Sequence, residues 1–364
     1  MSQIGETLVL KHWTGAPQSM GNPLPWDVYF EEAWIRLWGR QGGESFLFLY
    51  QSGDWLWAHP FVKLPIPGTD FYDAESAWGY GGPVSNTEDR AFLVKANEAF
   101  ATWAREQRIV CAFTRFHAPL QNHRYCLDPD TRIIANRPVV SLPLKEPRPL
   151  IGKEAFITPE LSERKETLEK DMSSAFRRGV RKARAAGLRF CEVAPLGHLS
   201  AFMKLYQKTM DRIGAAPEYY IDEARVRGLF CEPINARLFG VFDREHMVAG
   251  AVIISGVNMF HYHLGASDPA FLGMRPNNLL FYDMLFLLVG EGTHSMLHLG
   301  GGDDESPDNA LLRFKRSLGG VESIYFTGGR IFLQTCYDEL CQEAIKRRPD
   351  LAVRQGKFLK LYRL

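Results

Sequence analysis

Two spacings of apolar residues run through this chain. Alternation at every second position marks strands, and recurrence every three to four positions marks helices. ESFLFLYQSGDWLWAHPFVKLPI at 44–66 reads as a hairpin turning at Ser52-Gly53-Asp54. DRAFLVKANEAFATWAREQRI at 89–109 reads as a helix, and VCAFTRFH at 110–117 as a strand. Pro143, Pro147, Pro149 and Pro159 follow in quick succession. Proline fixes φ and removes a backbone donor, so a linker is expected near 143–160. Beyond it, 163–187 reads as one long polar helix ending at Gly187, a suitable residue just past a helix end. A strand at 188–193, a helix at 198–213 and a second hairpin at 236–256, turning at Asp243-Arg244-Glu245, come next. The chain then alternates: strand 258–267, helix 277–292, strand 295–301, helix 307–320, strand 321–330. This mixed order predicts an α/β (α+β) fold with mixed sheets and helices on both faces. The first half looks like a shorter version of the second, so two tandem domains are expected, 1–150 and 151–364.

Composition narrows the function without choosing it. A length of 364 residues suits two domains of ordinary size. Hydrophobic residues make up 46% and charged residues 23%, which is ordinary for a folded protein. A net charge of +1 gives no global field toward nucleic acid or acidic membranes, so any anion site must be local. MSQIGETLVLKHW lacks a basic segment leading into an apolar core and does not read as a signal peptide. NNLLFYDMLFLLVG at 277–290, interrupted by Asp283, is too short for a membrane span and suits a buried helix. The six cysteines show no CxxC spacing, and reduced thiols in a cytoplasmic protein are expected.

Several clusters could carry chemistry, and each has a plainer reading. FRRGVRKARAAG at 176–187 sets Arg177, Arg181 and Arg184 in one helical row and Arg178 with Lys182 in another. Charge this dense suits a phosphate-bearing ligand, and it equally suits a solvated face. MFHYHLGAS at 259–267 puts Phe260, Tyr262 and Leu264 on one strand face and His261 and His263 on the other. With His294 or His298 the histidines could bind zinc, but no carboxylate or cysteine completes a recognisable spacing. A polar cleft lining or a hydrogen-bonded core pair is the better reading, and no metal is expected. Trp34/Trp38 and Trp55/Trp57 fall at helix and strand spacings that suit core packing more than sugar stacking. WGYGGPVSN at 78–86 gives a loop where backbone can approach a ligand, or simply a turn. TRFHAPLQN at 114–122 places Arg115 and His117 at a strand end, where open sheets bind ligands or where a salt bridge would serve.

LGGGDDESPDNALLRFKRSLGG at 299–320 lacks the GxxxxGK[ST] pattern of a phosphate loop. Asp303, Asp304 and Glu305 suit a hard cation, but adjacent acids point in different directions. Ser306 fits a helix N-cap, Pro307 the first helical position and Gly319 the end. Phe314 and Lys315 on that helix stand where a cation could meet developing negative charge.

Taken in order, YGGP (80–83), RFHAPLQN (115–122), RRGVRKARAAGL (177–188), FGVFDREHMVAGAVI (239–253), YHLGAS (262–267), LGGG with LLRFKRSLGG (299–320) and the terminal Tyr362-Arg363 resemble the FemAB-like branch of the GNAT acyltransferase superfamily. The resemblance covers nearly the whole chain. It implies two tandem GNAT-like domains on a FemX-like plan without the coiled-coil arm. It also implies transfer of an acyl or aminoacyl group to an amine of a peptidoglycan precursor or of an amino-sugar bound for cell-surface polysaccharide. The acceptor would be a small-molecule, lipid-linked or nucleotide-linked amine, and the donor acyl-CoA or aminoacyl-tRNA, with no tightly bound cofactor. Phe314 and Lys315 would contact the reacting ester, with Tyr262 beside them as a third catalytic position. Arg177, Arg181, Arg115, His117, Tyr80, His263 and Asp303 would bind substrate, and Arg275, Asn277, Gly300 and Gly301 the donor. FLGMRPNNLL at 271–280 stands where GNAT enzymes carry [RQ]xxGx[GA], and it lacks those glycines, which counts against coenzyme A. Two rivals are a non-catalytic GNAT-like module binding a nucleotide-sugar or polymer, and an aminoacyl-tRNA-dependent peptidyltransferase.

Overall fold

The structure, a computed structural model, describes residues 5–18, 21–144, 161–302, 304, 306, 309–354 and 359–364. The expected linker beyond residue 144 lies outside the described residues. In chain order the strands begin with β1 (Glu6–Leu10), β2 (Glu44–Ser52), β3 (Trp55–Pro65), β4 (Tyr72–Glu75), β5 (Val84–Ser85), β6 (Ile109–Arg115) and β7 (Arg132–Pro143). They continue with β8 (Arg189–Val193), β9 (Arg237–Asp243), β10 (His246–Ser255), β11 (Met259–Ser267), β12 (Met296–Gly301) and β13 (Val321–Ile331). The helices are α1 (Glu32–Trp38), α2 (Arg90–Glu106), α3 (Leu161–Asp171), α4 (Ser174–Ala185), α5 (Pro195–Ile213), α6 (Glu223–Leu229), α7 (Pro276–Glu291), α8 (Ala310–Arg316) and α9 (Gln334–Arg347).

The chain forms two compact units, Met1–Asn136 with Ile324–Leu364, and Arg137–Ser323. A single cut near residue 150 therefore misses that the last forty-odd residues return to the first unit. Sequence periodicity reports local structure and says nothing of which unit a late strand joins.

Both units repeat one plan. In the first, the β2–β3 hairpin pairs with β4, and α2 crosses over to β6, which lies parallel to β4. In the second, the β9–β10 hairpin pairs with β11, and α7 crosses over to β12, parallel to β11. An antiparallel strand then follows in each, β13 beside β6 and β7 beside β12. β1 pairs antiparallel with β2, and β8 antiparallel with β9.

The first unit shows why FLFLY makes a two-sided strand. Phe46, Phe48 and Tyr50 pack with Phe92 and Phe100 of α2, while Leu47 and Leu49 pack with Leu24, Trp26 and Phe30 on the other face. Trp34 and Trp38 are buried and stack at 5.6 Å, and Trp57 is buried too, so these rings are core. In the second unit α7 is buried almost all round. It packs with α3 and α4 against Ala249, Ala251 and Ile253, while Phe202 of α5 lies against Gly250 on the opposite face. The helix expected over 163–187 is two helices. Ser173 interrupts it, its hydroxyl accepting the Phe176 N–H at 3.1 Å as the N-cap of α4. Gly187 does close α4, at φ +79°, with the Leu188 N–H bonded to the Ala183 carbonyl. Among the described residues no helix is long and apolar enough to cross a membrane.

Candidate functional site

The second unit places its candidate residues on β11, β12 and α8. β10 and β11 slip register between Val252 and Ile253: Ile253 faces Tyr262, whereas Val252 faces Leu264. His263 is the extra residue of a β-bulge. One inserted residue inverts the alternation beyond it. Tyr262 and Gly265 thus share a face, and Leu264 leaves the face it was assigned with Tyr262. His261 is fully buried, 5.9 Å from the His298 ring, whose Nδ1 lies 2.8 Å from the Ser141 hydroxyl. Burial, with His261 adding to it, lowers His263 to about 3, so this imidazole is neutral near pH 7 and offers no cation to a substrate.

Tyr262 stands edge-on to Phe281 at 4.9 Å, and the Lys315 ammonium lies 5.5 Å from its ring centre. Burial pushes its phenol up, so the hydroxyl stays protonated. Its seat is Gly265. A Cβ at this position would overlap the Tyr262 hydroxyl and ring. Gly265→Ala is therefore expected to swing Tyr262 off its seat and to cost about 1–3 kcal/mol through overpacking. The check is denaturant unfolding beside the ¹⁹F signal of fluorotyrosine at position 262. An unshifted signal would sink the seating argument. In a Tyr262→Ala background the same alanine should cost little.

Lys315 is 4% exposed, and its Nζ donates to the Gly301 carbonyl at 2.6 Å. The β12 glycines make this reach possible: the strand slips register between His298 and Gly300, and Gly300 has φ +70°. The N-cap of α8 is Asn309 and not Ser306. Its Oδ1 accepts the N–H groups of Leu311 and Leu312 at 3.0 Å. Asp304 serves this turn, accepting from the Ser306 N–H and Asn309 Nδ2 at 2.8 and 2.9 Å. Those two hydrogen bonds hold its carboxyl below the usual range. Asp303, Glu305 and Pro307 lie outside the described residues.

Beside this cluster a cavity of about 380 Å³ opens between α4, the start of α7 and the end of α8. Phe314 forms part of its wall, packed on Phe281 and Phe176. Arg178, Lys182 and Arg275 supply the charge, and among the described residues no carboxylate lines it. Among the described residues neither Lys182 nor Arg275 makes an ion pair. Arg177 and Arg181, the row favoured from the sequence, do not line this cavity. Arg184 is taken up by Asp283 at 2.7 Å. Gly179 meets α7 where any side chain would overlap Asn278, and Arg178 and Lys182 on either side of it border the cavity while remaining exposed. Gly179, between the two cations, was the available signal. Arg275 has φ +64° as the residue before α7, and Pro276 follows at the first helical position. Asn277 reaches the Ser267 hydroxyl at 3.4 Å, and neither it, Gly300 nor Gly301 lines the cavity.

The first unit has a cluster of its own. His117 is fully buried and fully engaged: Nε2 lies 2.8 Å from Asp27, and Nδ1 accepts the Leu120 N–H at 3.3 Å. These contacts tie His117 into the fold of the first unit. Tyr80 packs on it at 5.3 Å. YGGP and RFHAPLQN are locked together by Asn122, whose amide donates to the Gly81 and Pro83 carbonyls at 2.9 Å while its Oδ1 accepts the His117 N–H. Arg115 turns to the Ser76 carbonyl at 3.3 Å and stacks on Phe113.

The second unit's ladder, with a crossover helix between two parallel strands and a bulge in the first of them, has counterparts among known proteins. Residues 170–316 match the model of the acetyltransferase (GNAT) domain family. That stretch is similar to a GNAT domain. Its whole fold is similar to a crystal structure of FemX, at 15% identity and a TM-score of 0.64, over 86% of this chain and 94% of that one. It is also similar to the C-terminal domain of a putative lysylphosphatidylglycerol synthetase from Agrobacterium fabrum, at 11% identity and a TM-score of 0.50, over 82% and 86%. No curated protein matches the sequence. The fold is thus the mixed α/β GNAT type of acyltransferases, and the GNAT match spans α4, the β11 bulge, α7 and the Phe314-Lys315 pair.

Proposed function

We propose that the protein is an N-acyltransferase that moves an acyl or aminoacyl group to the amine of a phosphate-bearing acceptor, an amino-sugar or cell-envelope precursor. The observation that carries this reading is the cavity lined by Arg178, Lys182 and Arg275 and walled by Phe314, with buried Lys315 next in sequence. Its volume falls in the range of small-molecule sites, and three cations without an acid favour an anion. The neutral amine attacks the acyl carbon, charge builds on the acyl oxygen, and collapse of the tetrahedral intermediate breaks the bond to the donor's thiol sulfur or ribose oxygen, which leaves carrying the proton the amine gives up. The Lys315 ammonium, held in a poorly solvated place by the Gly301 carbonyl, stabilises that oxyanion. The Tyr262 ring lies 5.5 Å from the same ammonium.

The test is incubation with acetyl-CoA or charged tRNA and with nucleotide-linked or free amino-sugars, read as mass gain on the amine. Transfer to the phosphate-bearing amine alone supports the reading in full. Saturable binding without transfer from either donor favours a binding module. Lys182→Ala with Arg275→Ala is expected to raise the acceptor's KM at least about tenfold, since each lost charge-assisted bond is worth roughly 1.5 kcal/mol or more. An unchanged KM at low salt would place the anion elsewhere.

A further inference from the structure

In the first unit a small crevice of about 30 Å³ lies between α2 and the sheet, walled by Trp57, Phe100 and Phe332 with a few polar groups among them. His59 of β3 and Arg330 of β13 line it, with Thr114 of β6 and Cys126. His59 is 7% exposed, its ring packed by Trp57 at 5.5 Å and Phe100 at 4.8 Å. Among the described residues its buried Nδ1 has no hydrogen-bond partner, and the same is true of Arg330 Nε. Arg330's remaining nitrogens are occupied, Nη1 with Asp128 and Nη2 with Asp130 at 3.7 Å. A buried N–H and a buried imidazole nitrogen left unmet on one cavity wall call for a partner.

The chemistry of that partner is narrow. Asp128 already answers the guanidinium, with Asp130 and Glu98 close by, so a further anion is disfavoured. Arg330 itself, with Arg105 near, disfavours a cation. Burial lowers His59 to about 3 and raises Cys126 to about 12, so both stay neutral near pH 7. An apolar group would leave both orphaned atoms unmet. The volume admits about two waters at roughly 10–15 Å³ of this measure each. We infer that this crevice is a binding site for neutral hydroxyl oxygen, filled by ordered water that accepts from Arg330 Nε–H and bonds to His59 Nδ1. The water completes the junction of β3, β6, β13 and α2 without any charged group.

The test is a crystal structure of the full chain grown without polyols, with ¹⁵N-arginine NMR of the same protein in solution. One or two isolated density peaks within hydrogen-bond reach of His59 Nδ1 and Arg330 Nε are expected, and a water cross-peak on the Arg330 Nε–H resonance. In His59→Phe the peak bonded to position 59 should be lost while the Arg330–Asp128 pair remains. If that variant does not fold, the wild-type cross-peak alone decides. An empty crevice with no cross-peak overturns the inference. Density extending beyond separate spheres, the mark of a co-purified molecule, overturns water as the occupant.

Discussion

Lys315→Met is expected to cut turnover by about 100- to 1000-fold while leaving a folded protein, the usual scale for losing one oxyanion donor. Methionine keeps the length of the side chain and removes its charge. The structural losses include the hydrogen bond to the Gly301 carbonyl, worth about 1–3 kcal/mol if that oxygen stays buried and unmet, and the contact with the Tyr262 ring. This is less than the stability of an ordinary domain, so the variant should fold. The two roles of the lysine then separate. If it only holds β12 to α8, turnover should follow the folded fraction and fall slightly. If it meets the oxyanion, turnover should collapse at full folding. The acceptor's KM should hold, because the cavity cations Arg178, Lys182 and Arg275 are untouched. Single-turnover rates with matched unfolding curves decide. A folded variant with wild-type turnover removes Lys315 from the chemistry.

The sequence made much of the frame readable and less of the site. Both hairpins turn where Gly53-Asp54 and Arg244-Glu245 interrupt the alternation, and α2 and α7 follow their apolar spacing. These features are local, set by propensity and period. The break at Ser173 is also local, but the polar pattern runs through it, and only the burial of Met172 and Phe176 shows why the chain turns there. The bulge at His263 could not be read, because an extra residue shows only against a partner strand. That Arg178 and Lys182 border the cavity while Arg177 and Arg181 do not likewise depends on how α4 docks on α7. Lys315 was recognisable by its place in a motif, but its burial and its bond to Gly301 rest on the positive φ of Gly300 and the slip in β12.

Lys360→Met should lower stability at neutral pH by about 3 kcal/mol, the scale for leaving a buried charge without its partner. Lys360 pairs with Glu75 and Arg363 with Asp73, two buried carboxylates of β4. Asp73 also accepts from the Tyr362 hydroxyl at 2.6 Å. Burial pushes the Glu75 carboxyl up, but Lys360, Arg40 and Arg115 outweigh it and hold the group below its ordinary 4.5. A depressed carboxyl contributes stability above the unfolded value, and that contribution is lost as pH falls through the folded one. Without Lys360 the burial effect loses its main opponent, since Arg40 stands 3.3 Å away and is half exposed. The carboxyl then rises, and protonating it relieves the variant. The gap between wild type and variant should therefore be widest near pH 7 and should narrow as the pH approaches about 4. Urea unfolding at both pH values measures it. An equal gap at both would show that Glu75 is not the group Lys360 serves. β4 runs directly into Ser76, whose hydroxyl accepts the Arg115 N–H at 2.8 Å, and then into the YGGP loop held by Asn122. A loosened Glu75 should thus also quicken amide exchange at Tyr80 and Gly81, so the chain's last residues govern the order of a loop that begins some 280 positions earlier.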